Sequence, residues 1–299
     1  MRSNPRRSGR GIFLSTALAA FAALVGLGDA QAQFRAPRGT QAAPWLVYYA
    51  DSEPPEAFRA FDLLVLDSQF HPPLDVLRDR GKVLLGYISL GEVEQHRPWF
   101  EAVRAEGILL QENRFWPGSF FVDLRDKRWV ERVIEELVPA VLHAGFDGLF
   151  FDTLDNPLYL EETDPQAYAG MTEAAARLVR AIRLNYPTVP IMMNRAYGLL
   201  PEVETAIDMV LGESVYADYD FETESYRHVE TALYREQVAL LKAAQARRPA
   251  LRVMTLDYWN PEDRAGIEEI YRVQRSNGFE PYVATINLDV IVPPPSGGE

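Results

Sequence analysis

The chain has 299 residues, 47% hydrophobic and 24% charged, with a formal net charge of −13 and no cysteine. That length and apolar content suit one barrel-sized domain or two small ones, and are wrong for a disordered chain. The acidic balance makes nucleic acid and anionic membrane surfaces poor partners. The absence of thiols excludes disulfides, a cysteine nucleophile and a cysteine-held metal.

At the N-terminus, Arg2, Arg6, Arg7 and Arg10 precede an apolar run from Ile12 to about Leu27, and Ala30-Gln31-Ala32 supplies small residues for cleavage. This is the pattern of a secretory signal peptide over residues 1–32, and its apolar run is shorter than the roughly 20 residues a membrane anchor needs. A secreted or periplasmic protein, free of the membrane after cleavage, is expected. Loss of four Arg and one Asp would move the net charge from −13 to −16. Residues 33–44 (QFRAPRGTQAAP) read as a linker, 45–292 as one domain and 293–299 as a tail.

Within that domain, short apolar runs recur: WLVYYA at 45, LLVLD at 63, KVLLGYIS at 82, LFFD at 149, PIMMN at 190, MVLGE at 209, LRVMTLD at 251 and PYVATIN at 281. Helical spacing fills most of the gaps. It is clearest where Trp129, Val133, Leu137 and Val141 step by four before Gly145. Further helices are expected over 72–80, 173–185, 227–247 and 261–276. Strands alternating with helices imply parallel βαβ units, and eight such strands imply a single (β/α)8 TIM barrel. FFVD at 120 would be an extra strand, placed in the long loop after strand three.

In such a barrel the reactive groups sit where strands end. Those ends carry Asp51, Asp67, Glu92, Asp152 with Asp155, Asn194, Glu213, Asp257 and Asn287, an acid or amide after every strand. Single Asp or Asn residues there serve as helix caps, but a complete set suggests chemistry. Glycoside hydrolysis needs two carboxyl groups flanking the scissile bond. Asp152 and Glu213 end strands four and six, about 10 Å apart at the backbone and closer at the carboxyls, a spacing that fits a retaining or an inverting enzyme. Aromatics gather at the same ends: Tyr48, Tyr49, Tyr87, Tyr197, Tyr216, Tyr219, Tyr258 and Trp259. Their faces suit sugar rings. His71, His96, His143 and His228 are scattered without metal-ligand spacing, and no nucleotide-binding or serine-hydrolase motif is present. No metal and no cofactor are expected.

GYISLGEVE, GFDGLFFDTLDN, NRAYGLLPE and GESVYADYD, in that order after matching strands, resemble the glycoside hydrolase family 114 superfamily of (β/α)8 enzymes. They are most similar to its bacterial branch of Pel-polysaccharide hydrolase domains (family 166). The resemblance runs from about Trp45 to Val292. It implies endo-cleavage of α-1,4-linked galactosamine and N-acetylgalactosamine polymers, and it lays the family's acidic pair on Asp152 and Glu213. Such a polymer, partly deacetylated, is a polycation that an acidic protein attracts.

The resulting expectation is a retaining endo-glycosidase of biofilm-type exopolysaccharide, with Asp152 as nucleophile and Glu213 as acid/base. Tyr48, Tyr87, Glu92, Asp155, Asn194, Arg195, Tyr216, Asp257 and Tyr258 are expected to bind substrate. The alternatives are a non-catalytic glycan-binding barrel, and a glycosidase or transglycosidase acting on another exopolysaccharide.

Overall fold

Each apolar run becomes a strand. In the computed structural model, which describes residues 44–295, these are β1 (Trp45–Tyr48), β2 (Leu63–Leu66), β3 (Val83–Ser89), β4 (Gly148–Asp152), β5 (Ile191–Asn194), β6 (Met209–Glu213), β7 (Arg252–Tyr258) and β8 (Glu280–Ala284). They form one sheet in chain order, with every neighbouring pair parallel. The near-continuous apolar character follows from burial on both faces, by the lumen and by the surrounding helices. The sheet curls into a nearly closed barrel. Its seam is joined by the Trp45 indole, which donates to the Glu280 carbonyl at 2.9 Å, and by the Tyr49 N–H, which donates to the Leu288 carbonyl at 2.8 Å. The expected signal peptide, residues 33–43 of the expected linker and residues 296–299 of the tail lie outside the described residues.

Helices α1 (Leu74–Asp79), α2 (127–144), α3 (Met171–Asn185), α4 (Thr231–Arg247) and α5 (Arg264–Ser276) pack on the outside. Trp129, Val133, Leu137 and Val141 of α2 are all buried. Steps of four overshoot a regular turn of 3.6 residues by about 40° each. A π turn over Val133–Leu137 takes up part of that excess and keeps the four side chains on one face. Among the described residues, no helix is long and apolar enough to cross a membrane.

Two insertions decorate the C-terminal end of the barrel. FFVD lies where the sequence suggested: Ser119–Val122 is the middle strand of an antiparallel sheet with Glu92–Glu94 and Leu109–Glu112, between β3 and β4. The second insertion corrects an expectation. Residues 227 and 228 are not helical, because Ser225–His228 pairs back on Ala217–Asp220 as a hairpin after β6. Helix α4 starts only at Thr231, where the Glu230 carboxylate caps the N–H groups of Ala232 and Leu233.

Gly145 ends α2 at φ 115°, where an added Cβ would meet nothing nearer than 3.7 Å. Gly145→Ala should therefore cost backbone strain alone, about 1–2 kcal/mol. A lower denaturant midpoint at unchanged m-value is the expected reading.

Candidate active site

Side chains alternate along a strand, so register decides which strand-end groups share the barrel mouth. Asp152 closes β4, Asn194 closes β5 and Glu213 closes β6, and the three meet there. The Asn194 amide Nδ2 donates to Asp152 Oδ1 at 2.9 Å and to Glu213 Oε2 at 2.7 Å. Tyr258, at the end of β7, donates its hydroxyl to Glu213 Oε1 at 2.5 Å. Glu213 thus receives two donors. Tyr49 and Tyr87 lie edge to face with ring centroids 5.3 Å apart. Behind Tyr87, the buried Arg97 guanidinium sits 5.5 Å from the ring centroid and pairs with Asp67 at 3.0 Å and Glu94 at 3.2 Å.

Strained backbone follows each of the three central residues. Thr153 (φ 65°), Arg195 and Ala196 (φ 47° and 45°) and Ser214 (φ 52°) all occupy the left-handed region without being glycine. Such residues persist only where their surroundings hold them. The Thr153 hydroxyl donates to the Asp152 carbonyl at 2.6 Å and accepts the Gly91 N–H at 2.8 Å. The Arg195 and Ser214 N–H groups continue the barrel ladder to the Leu211 and Leu256 carbonyls, each at 2.8 Å. Gly91 is required by close approach, since a Cβ there would lie 2.2 Å from the Thr153 carbonyl oxygen.

The electrostatics centre on Asp152. Burial first, and the Glu213 charge second, push its carboxyl up to about 7, against the opposing hydrogen bond from Asn194. Burial and the charges of Asp152 and Glu213 also raise Tyr49 well above the ordinary tyrosine range. Burial together with Glu213 does the same to Tyr258, so both phenols stay protonated.

Of the residues singled out from sequence, Asp152, Glu213, Asn194, Tyr258 and Tyr87 are brought together. Asp155 lies beside them, close enough that its charge adds to the upward push on Asp152, and forms a loose 3.9 Å ion pair with Arg195. Four others are turned away. Asp257 is fully buried on the outer face of β7, accepting from the Tyr216 and Ala217 N–H groups and from Gln274 of α5. Tyr48 points out of the barrel against Phe58, its hydroxyl bonded to Ser52 and to the Glu53 N–H. Tyr216 packs against His228 and Tyr234 and donates to Glu269. Glu92 is buried and accepts from Asn113, Ser119 and Asn156, tying the first insertion to the segment after β4. Tyr49, Asp67 and Arg97 were absent from that selection and sit at or beside the mouth. For Tyr49 and Asp67 the missed signal was strand parity. Tyr48 and Tyr49, like Asp257 and Tyr258, are neighbours of opposite facing, and only the second of each pair is in phase with Asp152.

The model of glycoside-hydrolase family GH114 matches residues 28–298. The chain belongs to family GH114. Among solved structures, this GH114 chain is similar to the glycoside hydrolase domain of PelA from Pseudomonas aeruginosa. That match is 25% identical, covers 83% of this chain and 96% of that one, and has a TM-score of 0.73. Its fold is also that of Aspergillus fumigatus Ega3, solved in complex with galactosamine, at 14% identity, 83% and 92% coverage and a TM-score of 0.60. By sequence, an uncharacterised protein of Deinococcus radiodurans is 28% identical over 71% of this chain and 67% of its own. GH114 membership makes the chain a glycoside hydrolase, for which a close pair of carboxyl groups is the required chemistry.

Raising the Asp152 carboxyl from 3.8 to about 7 has a consequence for stability. A group whose folded value lies above its unfolded value stabilises the fold below the unfolded value, and that contribution is lost as pH rises through the folded one. Asp152→Asn should therefore unfold at the same temperature as wild type near pH 3.5 and be about 1–3 kcal/mol more stable at pH 8. Thermal melts at the two pH values check this.

Proposed function

We propose that this family GH114 hydrolase is an exported, endo-acting enzyme that cleaves an α-1,4-linked galactosamine/N-acetylgalactosamine polymer with retention of configuration. The observation that carries the reading is the carboxyl pair held by one amide. The two hydrogen bonds from Asn194, laid end to end, fall short of the roughly 6.5 Å at which the carboxyls of inverting enzymes begin. Such close approach favours direct attack over activation of an intervening water.

Asp152 acts as the nucleophile. Its carboxylate forms a bond to the anomeric carbon as the glycosidic C–O bond breaks, and Glu213 gives a proton to the departing oxygen. Glu213 then takes a proton from water, which displaces Asp152 and restores both groups. Burial favours the proton on Asp152. A positively charged amino sugar beside Asp152 stabilises its ionised, attacking form. The net charge of −13, or −16 without residues 1–32, gathers a polycation, and the galactosamine found in Ega3 is a sugar of that class. Asn194 Oδ1 is buried and has no donor among the described residues; a substrate hydroxyl or ammonium would supply one.

Incubation with a partly deacetylated galactosaminoglycan should release new reducing ends. Asp152→Asn should release none, and Glu213→Gln should lower kcat by about 10²–10⁴-fold. Full turnover in either variant would remove the pair from the chemistry. Because the pair must hold one proton and Asp152 sits at about 7, kcat/KM should fall about tenfold per pH unit above that value. A profile flat to pH 9 would contradict the shared proton.

A further inference from the structure

Among the described residues, the exposed aromatic side chains are Phe70, Phe115, Trp116, Tyr159 and Phe221. All of them lie on segments that follow the C-terminal ends of barrel strands, after β2, β3, β4 or β6. Scattered exposed apolar residues need no explanation, but a one-sided set around the catalytic mouth does. Two of them touch. Trp116 and Phe221 meet edge to face with ring centroids 6.0 Å apart, although they are 58% and 63% exposed.

The two side chains come from opposite shoulders of the carboxyl pair. Trp116 sits at the turn between Leu109–Glu112 and Ser119–Val122, in the insertion after β3. That turn is held firmly: Asn113 donates to Glu92 Oε1 at 2.6 Å and Ser119 to Glu92 Oε2 at 2.5 Å. Asn156, which opens the helical segment just after Asp152, donates to the same Glu92 Oε1 at 2.6 Å. Phe221 sits at the tip of the hairpin after Glu213, where Tyr219 backs it at 5.2 Å and Tyr226 in turn backs Tyr219 at 5.1 Å. The backbone is thus ordered on both sides while the two rings stay in water, joined only through an edge.

We propose that Trp116 and Phe221 form a sugar-stacking subsite, remote from the cleaved bond, that takes a hexose or hexosamine ring of the same polysaccharide chain. The proposal rests on the hydrolase reading above. The occupant follows from continuity: a polymer lying between Asp152 and Glu213 leaves the mouth past the loops that bear these two rings. The apolar C–H face of a pyranose is the surface that an exposed indole or phenyl ring matches. The pair then serves chain length rather than bond cleavage, helping the enzyme grip long polymer.

The test compares wild type, Trp116→Ala, Phe221→Ala and Trp116→Phe on partly deacetylated galactosaminoglycan and on a short oligosaccharide of the same sugar. For each alanine variant, KM for the polymer should rise about tenfold with kcat unchanged, and kcat/KM for the oligosaccharide should stay at the wild-type value. Trp116→Phe should restore much of the loss. Variants equal to wild type on both substrates, or impaired equally on both, would overturn the proposal. So would a variant that changes the sedimentation of the protein and leaves polymer KM alone, since the rings would then serve a contact between copies. If wild type cleaves neither substrate, the hydrolase reading fails, and binding of the polymer to Asp152→Asn with and without Trp116→Ala decides the subsite independently. A tenfold weaker Kd supports it, and an equal Kd refutes it.

Discussion

One amide group organises the site. Asn194 stands on the strand between those bearing Asp152 and Glu213, and its NH2 group has two hydrogens that diverge in a plane, one for each carboxyl. Two carboxyls this close repel when both are ionised, and long side chains left to themselves would move apart. The planar donor sets their separation by covalent geometry instead. Held there, Asp152 is pushed up by burial first and by the neighbouring Glu213 charge second.

Such a cluster needs a rigid support, because every part of it is unfavourable alone. The αL residues Thr153, Arg195 and Ser214 turn the chain away directly after the residues that matter, and the strain is offset by ladder hydrogen bonds that run on through two of those turns and by the Thr153 hydroxyl. Beneath them the strands are packed solid with Leu149, Phe150, Phe151, Met192, Met193, Val210 and Leu211, all buried. Burial of this kind contributes roughly 1.5–3 kcal/mol for each large side chain, which leaves ample margin for a few strained turns. Activity and stability are opposed at the mouth and reconciled by the core below it.

Much of the architecture was legible because burial on both faces leaves an unambiguous mark. Eight apolar runs alternating with helical spacing read as parallel strands, enough of them to close a barrel, and the glycine after α2 shows where that helix stops. The central trio was legible for a related reason: a polar residue directly after a buried run has to face the barrel mouth or be bonded behind the wall. Which of those two it does was not legible from position alone. Asp257 and Tyr48 end strands as Asp152 does, yet one residue of phase sends them outward to Gln274 and Phe58. The setting of Glu92 was hidden for a different reason: its three partners, Asn113, Ser119 and Asn156, come from distant parts of the chain. The hairpin over 217–228 escaped notice because its strands are short, polar and half exposed, without the burial that gave the barrel strands their pattern.

The division of labour between the two carboxyls is the central claim, and the raised Asp152 carboxyl makes it a demanding one. A slow fluorinated galactosaminyl donor, incubated with the enzyme and followed by mass spectrometry of the digested protein, would trap the covalent intermediate on the residue that attacks. An adduct on the peptide carrying Asp152 is the expected result. An adduct on Glu213 would reverse the roles, and turnover that inverts configuration with no adduct on either would contradict nucleophilic attack by the protein altogether.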